Sequence, residues 1–179
     1  MKVIDNRVSK ALQNKIEEYF LHNNFPWYYN NNSLGKHVPK KYKTVTKDSF
    51  NEFQLTHKFV DEGRVNSPHT NIIMNLLNEL DMEGTPILRC KANLKFRTNT
   101  RKKHNIFHMD HKDPHKVMIY YVNDSDGDTF VKIGKSIKRV SPKKGRVLCF
   151  DGKTMHAANH PRKTNKRLII NFNLVKKSH

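Results

Sequence analysis

Two periods of hydrophobicity divide the chain. Over residues 8–21, "VSKALQNKIEEYFL", Val8, Leu12, Ile16, Tyr19 and Phe20 recur at helical spacing, so one face of a helix is apolar. "SPHTNIIMNLLNELDMEG" predicts a second helix, with Ser67 placed to cap it and Pro68 at its first position. Ile72, Ile73, Leu76, Leu77 and Leu80 then stack on one side before Gly84 ends it. From residue 86 the period falls to 2. In "ILRCKANLKF", Leu88, Cys90, Ala92, Leu94 and Phe96 alternate with Arg89, Lys91, Asn93 and Lys95, the signature of a strand with one apolar face. "KVMIYYV", "DTFVKI", "SIKRV", "GRVLCF" and "RLIINFNLV" follow, parted by the turn-forming stretches "NDSDGD", "SPKKG", "DGKT" and "HPRKTNK".

Several short strands after two helices predict a mainly β protein, a sandwich or barrel with helices packed on one side. The last strand sharpens this. Leu168, Ile170, Phe172 and Leu174 form a wholly apolar face, whereas Arg167, Ile169, Asn171 and Asn173 form the other. One side is expected to meet the helices and the other to line a polar cavity. Between the helices, "NFPWYYNNNSLGKHVPKKYK" has no clear period, and its Phe25, Trp27, Tyr28 and Tyr29 are expected to serve as core and lid.

A length of 179 residues suits one domain spanning 1–179, with helical support over 1–84 and a β core over 85–175. No apolar run reaches the length of a membrane span, and the N-terminus lacks a secretory h-region. Cys90 and Cys149 stand far apart in apolar contexts and read as buried free thiols, which points to a reducing cytoplasm. The net charge of +18 makes an acidic or nucleic-acid partner a candidate, with basic loops at 36–47, 97–104 and 132–146. A solvated lysine surface accounts for the same charge without any ligand.

Chemistry concentrates in "HMDHKDPHK", residues 108–116. Along a strand, i and i+2 point the same way, so His108 and Asp110 can approach one metal ion together. A third ligand must come from elsewhere, with His156 in "CFDGKTMHAANHP" the best candidate and His160 its competitor. Two imidazoles and a carboxylate make the facial set that holds Fe(II) and leaves coordination positions open. Asp113-Pro114 breaks any helix through His111 and His115, which argues against a zinc pair and leaves both as loop residues at the cleft mouth. His104 reads as solvated or substrate-facing. "DSDGD" at 124–128 lacks the glycine and glutamate positions of a calcium loop and reads as a tight turn between strands.

The ordered set of His108-x-Asp110, "IYYVNDSDGDTFV", "SPKKGRVLCFDGKTMHAA" with His156, and Arg167 eleven residues later resembles the Fe(II)- and 2-oxoglutarate-dependent dioxygenases. The likeness is to their prolyl 4-hydroxylase-like branch, in its small bacterial and phage-encoded form, over roughly residues 85–175. It implies a double-stranded β-helix (jelly roll, cupin-like) with N-terminal supporting helices. It also favours His156 over His160 and makes His108, Asp110 and His156 the catalytic metal ligands. Arg167 would then anchor 2-oxoglutarate, Tyr121 would hydrogen-bond the same carboxylate, and Thr129 would form the pocket wall. Fe(II) and 2-oxoglutarate are the implied cofactor and co-substrate, with ascorbate as a possible reductant. The implied reaction is hydroxylation of a peptidyl residue such as proline as 2-oxoglutarate and O2 give succinate and CO2. An oxygenase acting on nucleic acid, and a non-catalytic cupin-like metal-binding protein, are the alternatives. The branch often carries tyrosines before H-x-D, where this chain has Arg89, Lys91 and Asn93.

Overall fold

The structure, a computed structural model, describes residues 1–30, 53–99 and 103–176. The expected basic loop 36–47, most of the unpatterned stretch before residue 53 and part of loop 97–104 lie outside the described residues. The first helix, α1 (Lys10–Leu21), starts where Ser9 accepts a hydrogen bond from the Leu12 N–H at 3.2 Å, satisfying one of the orphan donors of a helix start. Ser67 also caps as expected, accepting from His69 N–H at 3.1 Å. The turn it opens, Pro68–Thr70, is a 3-10 turn leading into α2 (Asn71–Glu79). α2 stops five residues short of Gly84, because Asp81 already adopts a left-handed φ of 55°.

Among the described residues, eleven strands form two antiparallel sheets. The major sheet runs β1 (Lys2–Ile4), β9 (Val147–Asp151), β6 (His115–Tyr121), β11 (Lys166–Val175), β5 (Ile87–Phe96), β3 (Gln54–Asp61), β2 (Tyr28–Asn30), with β4 (Arg64–Val65) beside β3. The minor sheet runs β10 (His156–Ala158), β7 (Thr129–Ile133), β8 (Ser136–Val140). Two facing sheets with a helix-backed outer side are the expected double-stranded β-helix.

The two faces of β11 separate as their polarity predicts. Leu168, Ile170, Phe172 and Leu174 join Leu12, Ile16, Phe20, Ile73 and Leu76 in the core between sheet and helices. Ile169 instead joins Val117, Ile119, Leu148 and Phe150 against Val131 and Val140 of the minor sheet. Phe20, fully buried, packs edge-on against Phe25 and Phe59 with ring centroids 4.9 and 5.9 Å away, a geometry that adds to its area burial.

Residues 1–84 hold more than helices, since β1 to β4 all extend the major sheet. β3 departs from the period of 2 because its register shifts between Lys58 and Val60, and such a bulge puts Phe59 and Val60 out of alternation. The aromatic segment divides. Phe25 is buried and Trp27 donates its indole N–H to Phe20 O at 3.1 Å, while Tyr28 and Tyr29 lie exposed on β2. Both cysteines are free; Cys90 is buried and Cys149 half-buried, and burial pushes both thiols up.

Candidate metal centre and anion pocket

Backbone pairing brings the two histidines together. His108 lies outside the strands, yet its N–H and C=O exchange hydrogen bonds with those of His156 on β10, each 3.0 Å long. The rings consequently sit side by side, with centroids 4.7 Å apart. Each Nδ1 faces a backbone carbonyl, Ile106 O at 3.1 Å for His108 and Thr154 O at 3.3 Å for His156. A carbonyl only accepts, so Nδ1 carries the proton and Nε2 presents its lone pair. Those Nε2 atoms lie 3.9 and 3.6 Å from Oδ1 and Oδ2 of Asp110. One ligand atom from each of the three residues falls within 4.8 Å of the others.

Burial first, and then each other's proximity, pushes His108 down to about 3; burial likewise lowers His156. Both imidazoles are therefore neutral near pH 7, the form that binds metal. Burial alone would raise Asp110, but Arg89 above all, then the two histidines and Lys91, hold it well below the usual carboxylate range. The set of two neutral imidazoles and one ionised carboxylate fits Fe(II).

Three residues around Asp110 carry no motif. Arg89 Nη2 pairs with Oδ1 at 2.7 Å, and Asn171 and Asn173 donate to Oδ2 at 2.8 and 3.1 Å. Arg89 Nε also donates to Asn173 Oδ1 at 2.9 Å. Such partners fix a ligand's orientation and basicity. Their only trace in the sequence is the polar alternation of β5 and β11, whose register sets Arg89 opposite Asn173 and Lys91 opposite Asn171.

Further along the same cavity lies Arg167, with 2% of its surface exposed. Its Nε donates to Gly127 O at 2.6 Å and its Nη2 to Thr129 Oγ1 at 2.9 Å. Among the described residues no carboxylate lies within ion-pair distance of this guanidinium. Tyr121 OH donates to the same Thr129 Oγ1 at 2.8 Å. With both acceptor positions of that oxygen filled, the Thr129 proton is left to donate, and Thr129 lines the cavity.

Other sequence readings change. His160 stays apart from the three, buried with Nδ1 facing Phe96 O at 3.1 Å. His111 and His115 are buried and do not line the cavity; His115 opens β6, and its ring fills the space a side chain at Gly152 would take. The His104 ring packs on Phe107 and Phe130, centroids 4.6 and 5.3 Å away. "DSDGD" is no hairpin turn, since β6 and β7 belong to different sheets. Asp126 in this crossover accepts from the N–H groups of Arg162, Lys163 and Thr164 at 2.9 to 3.0 Å, tying it to the approach to β11.

No protein-family model matches the sequence, and no curated protein matches it. Solved structures do. A 2OG-Fe(II) oxygenase family oxidoreductase from Burkholderia pseudomallei aligns with a TM-score of 0.68 at 17% identity, covering 96% of this chain and 83% of that one. A prolyl hydroxylase from Trichoplax adhaerens, in complex with a hypoxia inducible factor oxygen degradation domain peptide fragment, gives 0.64 at 12% identity over 97% and 82%. SnoN, a non-heme alpha-ketoglutarate-dependent epimerase of nogalamycin biosynthesis, gives 0.59 at 11% over 97% and 77%. At these identities the likeness is one of architecture: the chain has the fold of the 2-oxoglutarate/Fe(II) oxygenase structures.

Proposed function

We propose that this chain is an Fe(II)- and 2-oxoglutarate-dependent dioxygenase that hydroxylates a peptidyl residue, with proline as the first substrate to test. The observation that carries the reading is one cavity lined by His108, Asp110 and His156 and also by Arg167, a buried guanidinium with no carboxylate partner among the described residues. Burying an arginine in that state is costly unless a ligand supplies the anion. A planar guanidinium matches a carboxylate in two-point geometry.

In this reading His108, Asp110 and His156 hold Fe(II). The bound metal, with 2-oxoglutarate and O2, supplies the oxidising chemistry, 2-oxoglutarate leaving as succinate and CO2. The chain's own residues bind and orient. Arg167 takes the distal carboxylate of the co-substrate, and Thr129, kept as a donor by Tyr121, adds a hydrogen bond to it. Arg89, Asn171 and Asn173 keep Asp110 ionised and aimed. Gly127 and Thr129 hold the guanidinium in place before any co-substrate arrives, which lowers the ordering cost of binding.

The prolyl assignment is supported by the fold shared with the Trichoplax prolyl hydroxylase and its peptide. We place the protein in the cytoplasm, where reduced iron and free thiols persist; among the described residues no helix is long and apolar enough to cross a membrane. Anaerobic addition of Fe(II) and 2-oxoglutarate should produce a visible metal-to-ligand charge-transfer band, and air should then give slow succinate formation, with ascorbate sustaining it. Asp110→Ala should abolish both. Persistence of either signal in that variant would contradict the proposal.

A further inference from the structure

The cavity holds more cationic groups than one co-substrate requires. Lys91, Lys95 and Arg167 line it, against Asp110 as the only carboxylate among its described lining residues. These cations fall into two groups. Arg167 is the strand partner of Lys95, and Lys91 is the strand partner of Asn171, four residues further along β5, roughly 13 Å at strand rise. Asn171 in turn bonds Asp110. The charge of Lys91 accordingly bears on His108, Asp110 and His156, whereas the groups acting on Arg167 are Tyr121 and Asp128. A five-carbon diacid spans at most about 6 Å along its four carbon–carbon bonds. With its distal carboxylate on Arg167 and its keto-acid end at the metal, it brings two negative charges against three cationic side chains and a divalent metal, so positive charge is left at the metal end for a second molecule.

Lys91 is half-buried, with no carboxylate in ion-pair distance among the described residues. Its neighbours along the ladder are no substitute. Lys58, opposite it on β3, is itself a cation and pairs with Asp61 at 2.7 Å, and Asp110 is already held by Arg89. Burial first, then Arg89, lowers the Lys91 ammonium to about 8, so it remains mostly charged at pH 7. Asp110 and Asp61 favour the charged ammonium only in part, and a divalent metal in the same cavity would offset Asp110, so a further anion would stabilise Lys91.

We propose that Lys91 binds an anionic group, carboxylate or phosphate, carried by the substrate that is oxidised, so that the enzyme selects an acidic substrate at the metal end of its cavity. This rests on the oxygenase reading for the placement of 2-oxoglutarate. The Arg167 end serves the co-substrate and the Lys91 end serves the substrate. An ammonium is a point charge that accepts either anion, so the source must be read by experiment.

The test uses the full chain loaded with Zn(II), a redox-inert substitute for iron, and saturated with 2-oxoglutarate. Acetate, methyl phosphate and the neutral isostere acetamide are titrated in and binding is followed by calorimetry. One of the anions should bind while acetamide does not, and the one that does names the source. Lys91→Met should weaken that binding at least tenfold while Zn(II) and 2-oxoglutarate still bind, and Lys91→Arg should restore it. Absence of binding by both anions overturns the inference, as does anion binding that survives Lys91→Met. A Lys91→Met variant that loses 2-oxoglutarate instead would make Lys91 part of the co-substrate site and equally overturn it. If wild type binds neither Zn(II) nor 2-oxoglutarate, the oxygenase reading fails, and the same titrations on metal-free protein judge Lys91 separately.

Discussion

Arg167 lies directly across Gly127. Its Nε donates to the Gly127 carbonyl at 2.6 Å, and a Cβ at position 127 would stand 2.7 Å from its Cδ and 3.2 Å from the Pro161 nitrogen. The glycine is needed for this close approach and not for its backbone conformation, since its φ is not among the positive ones. Gly127→Ala should therefore displace the guanidinium. Overpacking of this kind costs about 1–3 kcal/mol, and a misplaced anchor weakens binding and turnover by up to about a hundredfold. The expected result is a raised KM for 2-oxoglutarate with Zn(II) affinity kept, measured by succinate formation and calorimetry. An unchanged KM would show that Arg167 does not anchor the co-substrate.

Thr129 and Tyr121 can be ranked. Because Tyr121 gives its only proton to Thr129 Oγ1, the group left to donate into the cavity is the threonine hydroxyl. Thr129→Val keeps the shape, removes that donor and strands the Tyr121 hydroxyl; it should raise KM for 2-oxoglutarate on the order of tenfold, the worth of one charge-assisted hydrogen bond. Tyr121→Phe should cost less, since Thr129 can still donate. The reverse order would mean that Tyr121 contacts the carboxylate itself, as the family resemblance implies.

How much of this was legible follows from what each feature depends on. The two faces of β11 could be read because alternation is local, and Leu168 to Leu174 obey it without interruption. His108 and Asp110 were visible as i and i+2, and the resemblance singled out His156. The support around Asp110 was not legible. Arg89, Asn171 and Asn173 meet only through the β5–β11 register, and a register joins residues about eighty positions apart. β3 was hidden by its bulge, and "DSDGD" read as a tight turn between strands because a turn and a crossover between sheets use the same residues. Burial of His111 and His115 likewise depends on tertiary packing that their polar neighbours conceal.

The crossover itself should be a stability element. Asp126 accepts three backbone N–H bonds and the Thr164 hydroxyl at 2.7 Å. Burial would raise its carboxyl, but the N–H and O–H donors, Thr164 first, hold it well below the usual range. Asp126→Ala should lower the urea-unfolding free energy by about 1–3 kcal/mol at pH 7. As the folded value is depressed, this difference should persist above pH 4 and shrink as pH falls further. It should also weaken 2-oxoglutarate binding, because the same segment carries Gly127. Loss of stability with intact co-substrate affinity would separate the crossover from the anchor.

His160 should give the opposite kind of pH signature from an ion-paired histidine. Its ring is 1% exposed with Nδ1 on Phe96 O. Burial first, then the charge of Lys95, lowers it from 6.5 to about 4. Below pH 6.5 the unfolded chain takes up a proton that the folded protein refuses until about pH 4. Unfolding is thus favoured progressively as pH falls through that window, by up to about 1.4 kcal/mol per pH unit for one group. His57, His108 and His156 are lowered too, so wild-type metal-free protein should lose stability steeply between pH 6.5 and 4. His160→Gln keeps a polar group at the site and removes the titration. Urea unfolding at several pH values, with chelator present, should give a slope shallower than wild type by close to one proton. An identical slope would mean that His160 titrates alike in the folded and unfolded states, and that the cations at the Arg167 end of the cavity do not reach it.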